Sequence, residues 1–259
     1  MVERVTSHKP LGVYITPTLD WSLHVHETCV KAYRKLSVLR SVRLLHRKTL
    51  DLLYKLTIRS VIDYGLIVFG TTLKLSDLKR LEQIQYRAGK LVAGALHLSS
   101  TEKLNQELGW ESIKTRVDLL GLSLFHKVAL GETRPLLRSC LTNRIMRLSC
   151  RQVGNFTQYP NYGAKFQNSF FPYFVKKWNN LERPIRTLEI PEFKQTLKEI
   201  LKPKLARHYS YGGRLGNKLL TRLRLGRSFL NSHGYAIGKT ASPSCQCKVI
   251  IIMRLPNIM

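Results

Sequence analysis

The sequence predicts a mainly α-helical chain with a short N-terminal β-hairpin and a basic helical C-terminal region. Three observations carry that expectation. Apolar residues recur at three- and four-residue steps through most of the first 135 positions, the mark of helices with one buried face. Strand-like alternation is confined to residues 3–15. The 259 residues also hold 43 Lys and Arg against 16 Asp and Glu, a net charge of +27. That charge is uneven: residues 1–132 carry 20 basic and 12 acidic side chains, whereas residues 133–259 carry 23 and 4.

Taken in order, residues 3–15, ERVTSHKPLGVYI, alternate loosely around Pro10 and Gly12 and read as two short strands about a turn. Asp20 or Ser22 then caps a helix that buries Trp21, Val25, Cys29, Ala32, Leu36 and Leu39, with Lys31, Arg34 and Lys35 on its other side. Cys29 falls in the apolar stripe and reads as a small core residue. A second helix runs from about Arg47 through Leu50, Leu53, Tyr54, Ile58, Val61 and Ile62, punctuated by Gly65 and Gly70. A third begins after Ser76 as N-cap and sets Leu78, Leu81, Ile84, Ala88, Leu91 and Ala95 on one face, with Lys79, Arg80, Arg87 and Lys90 opposite. Thr101–Leu108 and Ile113–Leu130 follow, the latter ended by Gly131 and Pro135. From Leu141 to Ser169 the periodicity fades and Gly, Pro, Asn and Gln gather with basic residues, as in a connector. Helical signal returns at Phe170–Leu181, where Phe170, Phe174 and Trp178 lie four apart; that spacing fits a core face better than a base-stacking platform. Pro191 opens another helix through Phe193, Leu197 and Leu201, stopped by Pro203. The expected units are therefore 1–19 (hairpin), 20–135 (helical bundle), 136–168 (basic connector), 169–232 (basic helical region) and 233–259 (a tail with a cysteine pair).

A pI near 10.3 is far from what an enzyme of a neutral metabolite needs, so a nucleic acid (RNA, DNA or an RNA–DNA hybrid) or an anionic membrane surface is the partner the charge leads one to expect, and no small-molecule substrate. The C-terminal region concentrates the signal. Arg207, Arg214, Lys218, Arg222, Arg224 and Arg227 follow the last acidic residue, Glu199. Between Arg214 and Arg227 they interleave with Leu215, Leu219, Leu220, Leu223 and Leu225, so a helix there is expected to bury its leucines and fan its guanidinium groups towards phosphates. No membrane span is expected: the longest apolar run, Val249–Met253, is far short of the roughly 20 residues a bilayer needs. Five irregularly spaced cysteines fit a reducing, intracellular compartment.

Catalytic patterns are scarce. A two-metal polymerase centre needs clustered carboxylates, yet the five aspartates, Asp20, Asp51, Asp63, Asp77 and Asp118, are scattered; Asp51 and Asp63 lie several turns apart on one helix. There is no phosphate-cradling glycine loop of the Gly-x-x-x-x-Gly-Lys type. His24, His26, His46, His97 and His126 read as surface or helix-terminal residues rather than ligands. Cys245-x-Cys247 is half of a metal site. With only His233 upstream and neither His nor Cys downstream, stable zinc binding is not expected.

Several segments share an order with one family. TRLRLGRSFLNSH followed by SPSCQC resembles the segment after the thumb of reverse transcriptases from non-LTR (LINE-type) retrotransposons, where a similar run leads into a Cys/His zinc knuckle. HKPLGVYITPTLDWSLHV resembles the end of the palm and the entry to the first thumb helix, with Trp21 earlier than the family pattern has it. VIDYG, LEQIQYRAGKLVAGA, LGWESIKTR, FFPYFVKKWNNL and PEFKQTLK are similar to later family elements, so that the likeness covers roughly residues 8–247. The resemblance implies a helical thumb-like bundle that holds template RNA or primer–template duplex in the nucleus or cytoplasm. It also implies Mg²⁺ chemistry in a palm that this sequence does not contain, so the chain is expected to be a fragment inactive alone, with a palm supplied, if at all, by another chain. The knuckle pattern breaks off after Cys247. A freestanding basic RNA-binding or ribonucleoprotein-structural protein is the alternative expectation.

Overall fold

In the computed structural model, residues 6–96, 99–142, 156–201 and 213–225 are described, together with Gly234, Tyr235 and Gly238. The described part is mainly helical. Helix α1 is Ser22–Ser41; α2 starts as Arg47–Leu53, continues through a π-helical stretch, Tyr54–Arg59, and ends as Ser60–Asp63. Then come α3 (Leu75–Ala93), α4 (Thr101–Leu108), α5 (Ile113–Leu130), α6 (Phe170–Asn179), α7 (Ile190–Leu201) and α8 (Arg214–Arg224). Shorter turns of helix, among them Pro135–Thr142, fill the connections.

Helices α3 and α5 are central. Helix α1 and α4 pack on α3, whereas α6 and α7 pack on α5, and one continuous hydrophobic cluster runs from Val13 to Leu225. The stripe predicted for α1 is buried as expected; its N-cap is Trp21, rather than Asp20 or Ser22, and Asp20 just before it accepts from Ser22 N at 3.1 Å and from Ser22 Oγ at 2.9 Å. The aromatic triplet of α6 is a core face: Phe174 and Trp178 are buried, and Phe174 lies so close to α5 that a Cβ on Gly121 would stand 1.9 Å from its ring. Glycine at 121 is thus what lets α5 and α6 approach. Helix α3 begins at Leu75, ahead of the expected Ser76 cap, with Asp77 in its first turn.

The N-terminal β-hairpin is not borne out. Among the described residues there is no strand, only a single antiparallel bridge in which His8 and Ile15 exchange hydrogen bonds of 2.9 and 2.8 Å. The reason is local: Pro10–Gly12 forms a 3₁₀ turn with Leu11 and Gly12 both at positive φ. The turn consumes the residues that a ladder would have paired, and Pro10 has no N–H to give.

Candidate nucleic-acid interface

Helices α1 and α3 meet along an edge on which cations outnumber their partners. Tyr33 and Arg40 stand seven residues apart on α1, hence on one line of the helix. Arg87 and Lys90 occupy the facing edge of α3. Between them lies an open groove of about 330 Å³ lined by Arg40, Arg87, Lys90, Leu91 and Ala95. Aromatic rings, not carboxylates, support two of the cations: Arg87 sits over Tyr33 with its guanidinium carbon 5.3 Å from the ring centre, and Lys90 over Tyr86 at 4.7 Å. Among the described residues no carboxylate pairs with Arg40, Arg87 or Lys90. Partial burial, and then the neighbouring Arg87, push the Lys90 ammonium below its ordinary pKa.

Helix α8 closes the far end of this edge, and its orientation reverses the expected one. Its polar side faces inward. Arg214 donates from Nη1 to the carbonyl of Val92 at 2.6 Å and from Nη2 to that of Leu91 at 2.7 Å, and Arg222 Nε donates to the carbonyl of Gly94 at 3.0 Å. Leu91 and Val92 are among the last carbonyls of α3, and Gly94 is its cap; the terminal carbonyls have no partner within the helix and carry the negative end of its dipole. Glu107 of α4 holds the rest: it accepts from Arg224 Nε and Nη2 at 3.0 and 2.8 Å, from Thr221 Oγ1 at 3.0 Å and from Arg47 Nη1 at 3.2 Å. Of the five leucines expected in the interior, Leu225 is buried and Leu220 half-buried, but Leu215, Leu219 and Leu223 are exposed, while Asn217 and Thr221 are buried. The body offers α8 carbonyls and a buried carboxylate, so the polar side has more to gain by docking than the leucines do.

The predicted contact residues therefore divide. Lys31, Arg34 and Lys35 are exposed on α1, but residues 31 and 35 lie roughly 160° around that helix from Tyr33, away from the groove. Arg214, Arg222 and Arg224 are engaged with the body. Lys218 remains at the groove end, its pKa lowered by burial and then by Arg214, Arg222 and Arg43. Arg207, Arg227, Cys245 and Cys247 lie outside the described residues. Sequence reasoning did not single out Arg40; its seven-residue step from Tyr33 was the available signal.

The aspartates are committed elsewhere. Each aspartate is ion-paired: Asp20 with Lys74 (2.6 Å), Asp51 with Lys55 (2.7 Å), Asp63 with Arg116 (2.8 Å), Asp77 with Arg80 (3.4 Å) and Asp118 with Lys177 (3.1 Å). Among the described residues no group of three or more His, Cys, Asp and Glu is placed to hold a metal ion. His24 and His126, expected at the surface or at helix ends, are buried, His24 within the first turn of α1. His24 meets the Phe69 ring edge-on at 4.8 Å, and His126 stacks on Phe193 at 3.9 Å with Nε2 2.9 Å from the Leu188 carbonyl. Aromatic packing accepts the neutral imidazole, and burial lowers both pKa values accordingly.

No protein-family model, curated protein or solved structure matches this chain. No helix among the described residues is long and apolar enough to cross a membrane.

Proposed function

We propose that this chain is a sequence-independent nucleic-acid-binding protein that seats a phosphate backbone in the groove between α1 and α3, and that it corresponds to the thumb and C-terminal region of a non-LTR-type reverse transcriptase without polymerase chemistry of its own. The groove carries the reading: three cations converge on it, two are propped by tyrosines, and none is neutralised by a carboxylate among the described residues. A phosphodiester supplies the missing anion, and Leu91 and Ala95 give its sugar an apolar floor. The outer cations of α1 and Lys218 extend the positive field beyond the groove. Template RNA or a primer–template hybrid is the natural ligand, met in the nucleus or cytoplasm. Catalysis, where it occurs, belongs to a palm on another chain.

The test is a salt titration of binding to RNA–DNA hybrid, DNA duplex and single-stranded RNA by the whole chain. Each phosphate contact adds about 0.7–0.9 to the slope of log K against log salt. Replacing Arg40, Arg87 and Lys90 by Ala is expected to weaken binding by about tenfold or more and to flatten that slope by about 2. The same replacement at Lys48, Lys79 and Lys103, exposed cations that do not line the groove, should do markedly less. Equal effects of the two triple variants would reduce the groove to part of a diffuse charge. Single-stranded RNA bound as tightly as hybrid would favour a general RNA binder over a thumb, and Mg²⁺-dependent primer extension by the chain alone would refute the non-catalytic assignment.

A further inference from the structure

Helix α8 keeps an unused apolar stripe. Leu215, Leu219 and Leu223, at four-residue steps, are 71%, 48% and 43% exposed. An amphipathic helix docked by its apolar side would have buried them. Here the docking is done by Arg214, Thr221, Arg222 and Arg224, which leaves the leucines turned outward on a helix held in a fixed orientation.

Gly216 adds a second, independent observation. It lies on the same outer side, one residue from Leu215 and three from Leu219, and a Cβ built on it would meet nothing within 4 Å. Glycine is a poorer helix former than alanine, and no contact of a Cβ within 4 Å explains its use here. A notch between two exposed leucines is of use to something that approaches the helix from outside.

Charge narrows what that is. Lys218 borders the stripe, helix α8 has no acidic residue, and the chain has none after Glu199. A second copy of the chain would bring like charge to like charge. A fluid bilayer has no shape to fit a notch, and a nucleic-acid backbone has no apolar side chains to pack between three leucines. We propose that the outer face of α8 docks an acidic amphipathic helix of a protein partner, whose apolar side chains pack between Leu215, Leu219 and Leu223 over Gly216 while its carboxylates face Lys218 and the acid-free C-terminal part of the chain. This site is distinct from the groove between α1 and α3 and stands whether or not nucleic acid binds there.

A labelled acidic peptide with leucines at every fourth position and glutamates on their flanks serves as the probe, with a scrambled peptide of identical charge as control. The whole chain is expected to bind the patterned peptide about tenfold more tightly than the scrambled one. Leu215→Gln with Leu219→Gln, or Gly216→Gln alone, should erase that difference while leaving helical circular dichroism and hybrid affinity unchanged. Leu215 and Leu219 are exposed and a side chain at 216 has open space, so loss of folding is not the expected route. Equal binding of both peptides, or variants that bind the patterned peptide as the wild type does, would overturn the proposal. So would binding to phosphatidylserine vesicles that needs the leucines when the peptide does not.

Discussion

Lys90 is a lysine whose surroundings oppose its own charge. Burial and Arg87 lower its pKa from the ordinary 10.5, while the face of Tyr86 holds the ammonium without neutralising it. A phosphate in the groove reverses the balance, because an anion favours the charged form and raises the pKa on binding. The sign follows from linkage: the protonated amine binds, so affinity is greatest below the free-state pKa and falls as pH climbs through it. Binding of a DNA duplex, followed upward from about pH 7 to about pH 10, just short of the ordinary lysine value, should weaken at the upper end. In Lys90→Arg it should not, since a guanidinium keeps its proton throughout. A wild type as flat as the arginine variant would place the lysine outside the contact.

At the scale of elements, Glu107 is what fastens α8 to the body. Its carboxylate, buried in α4, answers Arg47, Thr221 and Arg224 together. In Glu107→Ala two guanidinium groups lose their counter-ion at once, a change worth about 3–5 kcal/mol when a buried pair is broken. Amide exchange in α8 is expected to accelerate strongly, while α1 and α3 keep their protection. Uniform loss of protection would mean instead that Glu107 supports the whole core. The same helix shows what periodicity can and cannot say. Three- and four-residue spacing correctly gave the buried stripes of α1, α3 and the aromatic face of α6, because their apolar sides found apolar neighbours. In α8 it gave the two faces but not which one meets the body. That choice depends on the carbonyls of Leu91, Val92 and Gly94 and on Glu107, more than a hundred residues away in sequence. Arg40 was missed for a related reason: an arginine becomes part of a groove only once a second helix supplies the other wall. At the N-terminus the alternation of residues 3–15 was real, but Pro10 and Gly12 marked a turn tight enough to leave one bridge.

For the whole molecule, the excess of positive charge is the dominant long-range term. The described aspartates are each matched to a cation, yet the net charge remains +27. Such a chain repels itself in the compact state. Raising NaCl from about 0.05 to about 0.3 M shortens the Debye length from roughly 14 to roughly 6 Å. The thermal midpoint is therefore expected to rise by a few degrees, even as nucleic-acid affinity falls over the same range. A midpoint that drops with salt would show that the ion pairs, such as Arg59–Glu111 at 2.7 Å, outweigh the repulsion.

The π-helical stretch of α2 also makes the length of that segment matter. Leu50, Tyr54, Ile58 and Ile62 are all fully buried, although steps of four overshoot an α-helical turn by roughly 40° each and should carry the last of them well off the line of the first. The wider turn at Tyr54–Arg59 winds the other way relative to such steps and cancels the drift. Loss of one codon within it would act less as a shortening than as a rotation of roughly 100° for everything downstream in the helix. Ile62 would leave the core, and Asp63 would turn away from Arg116. Natural variants of this chain should tolerate many substitutions between residues 54 and 59 before they tolerate a single deletion.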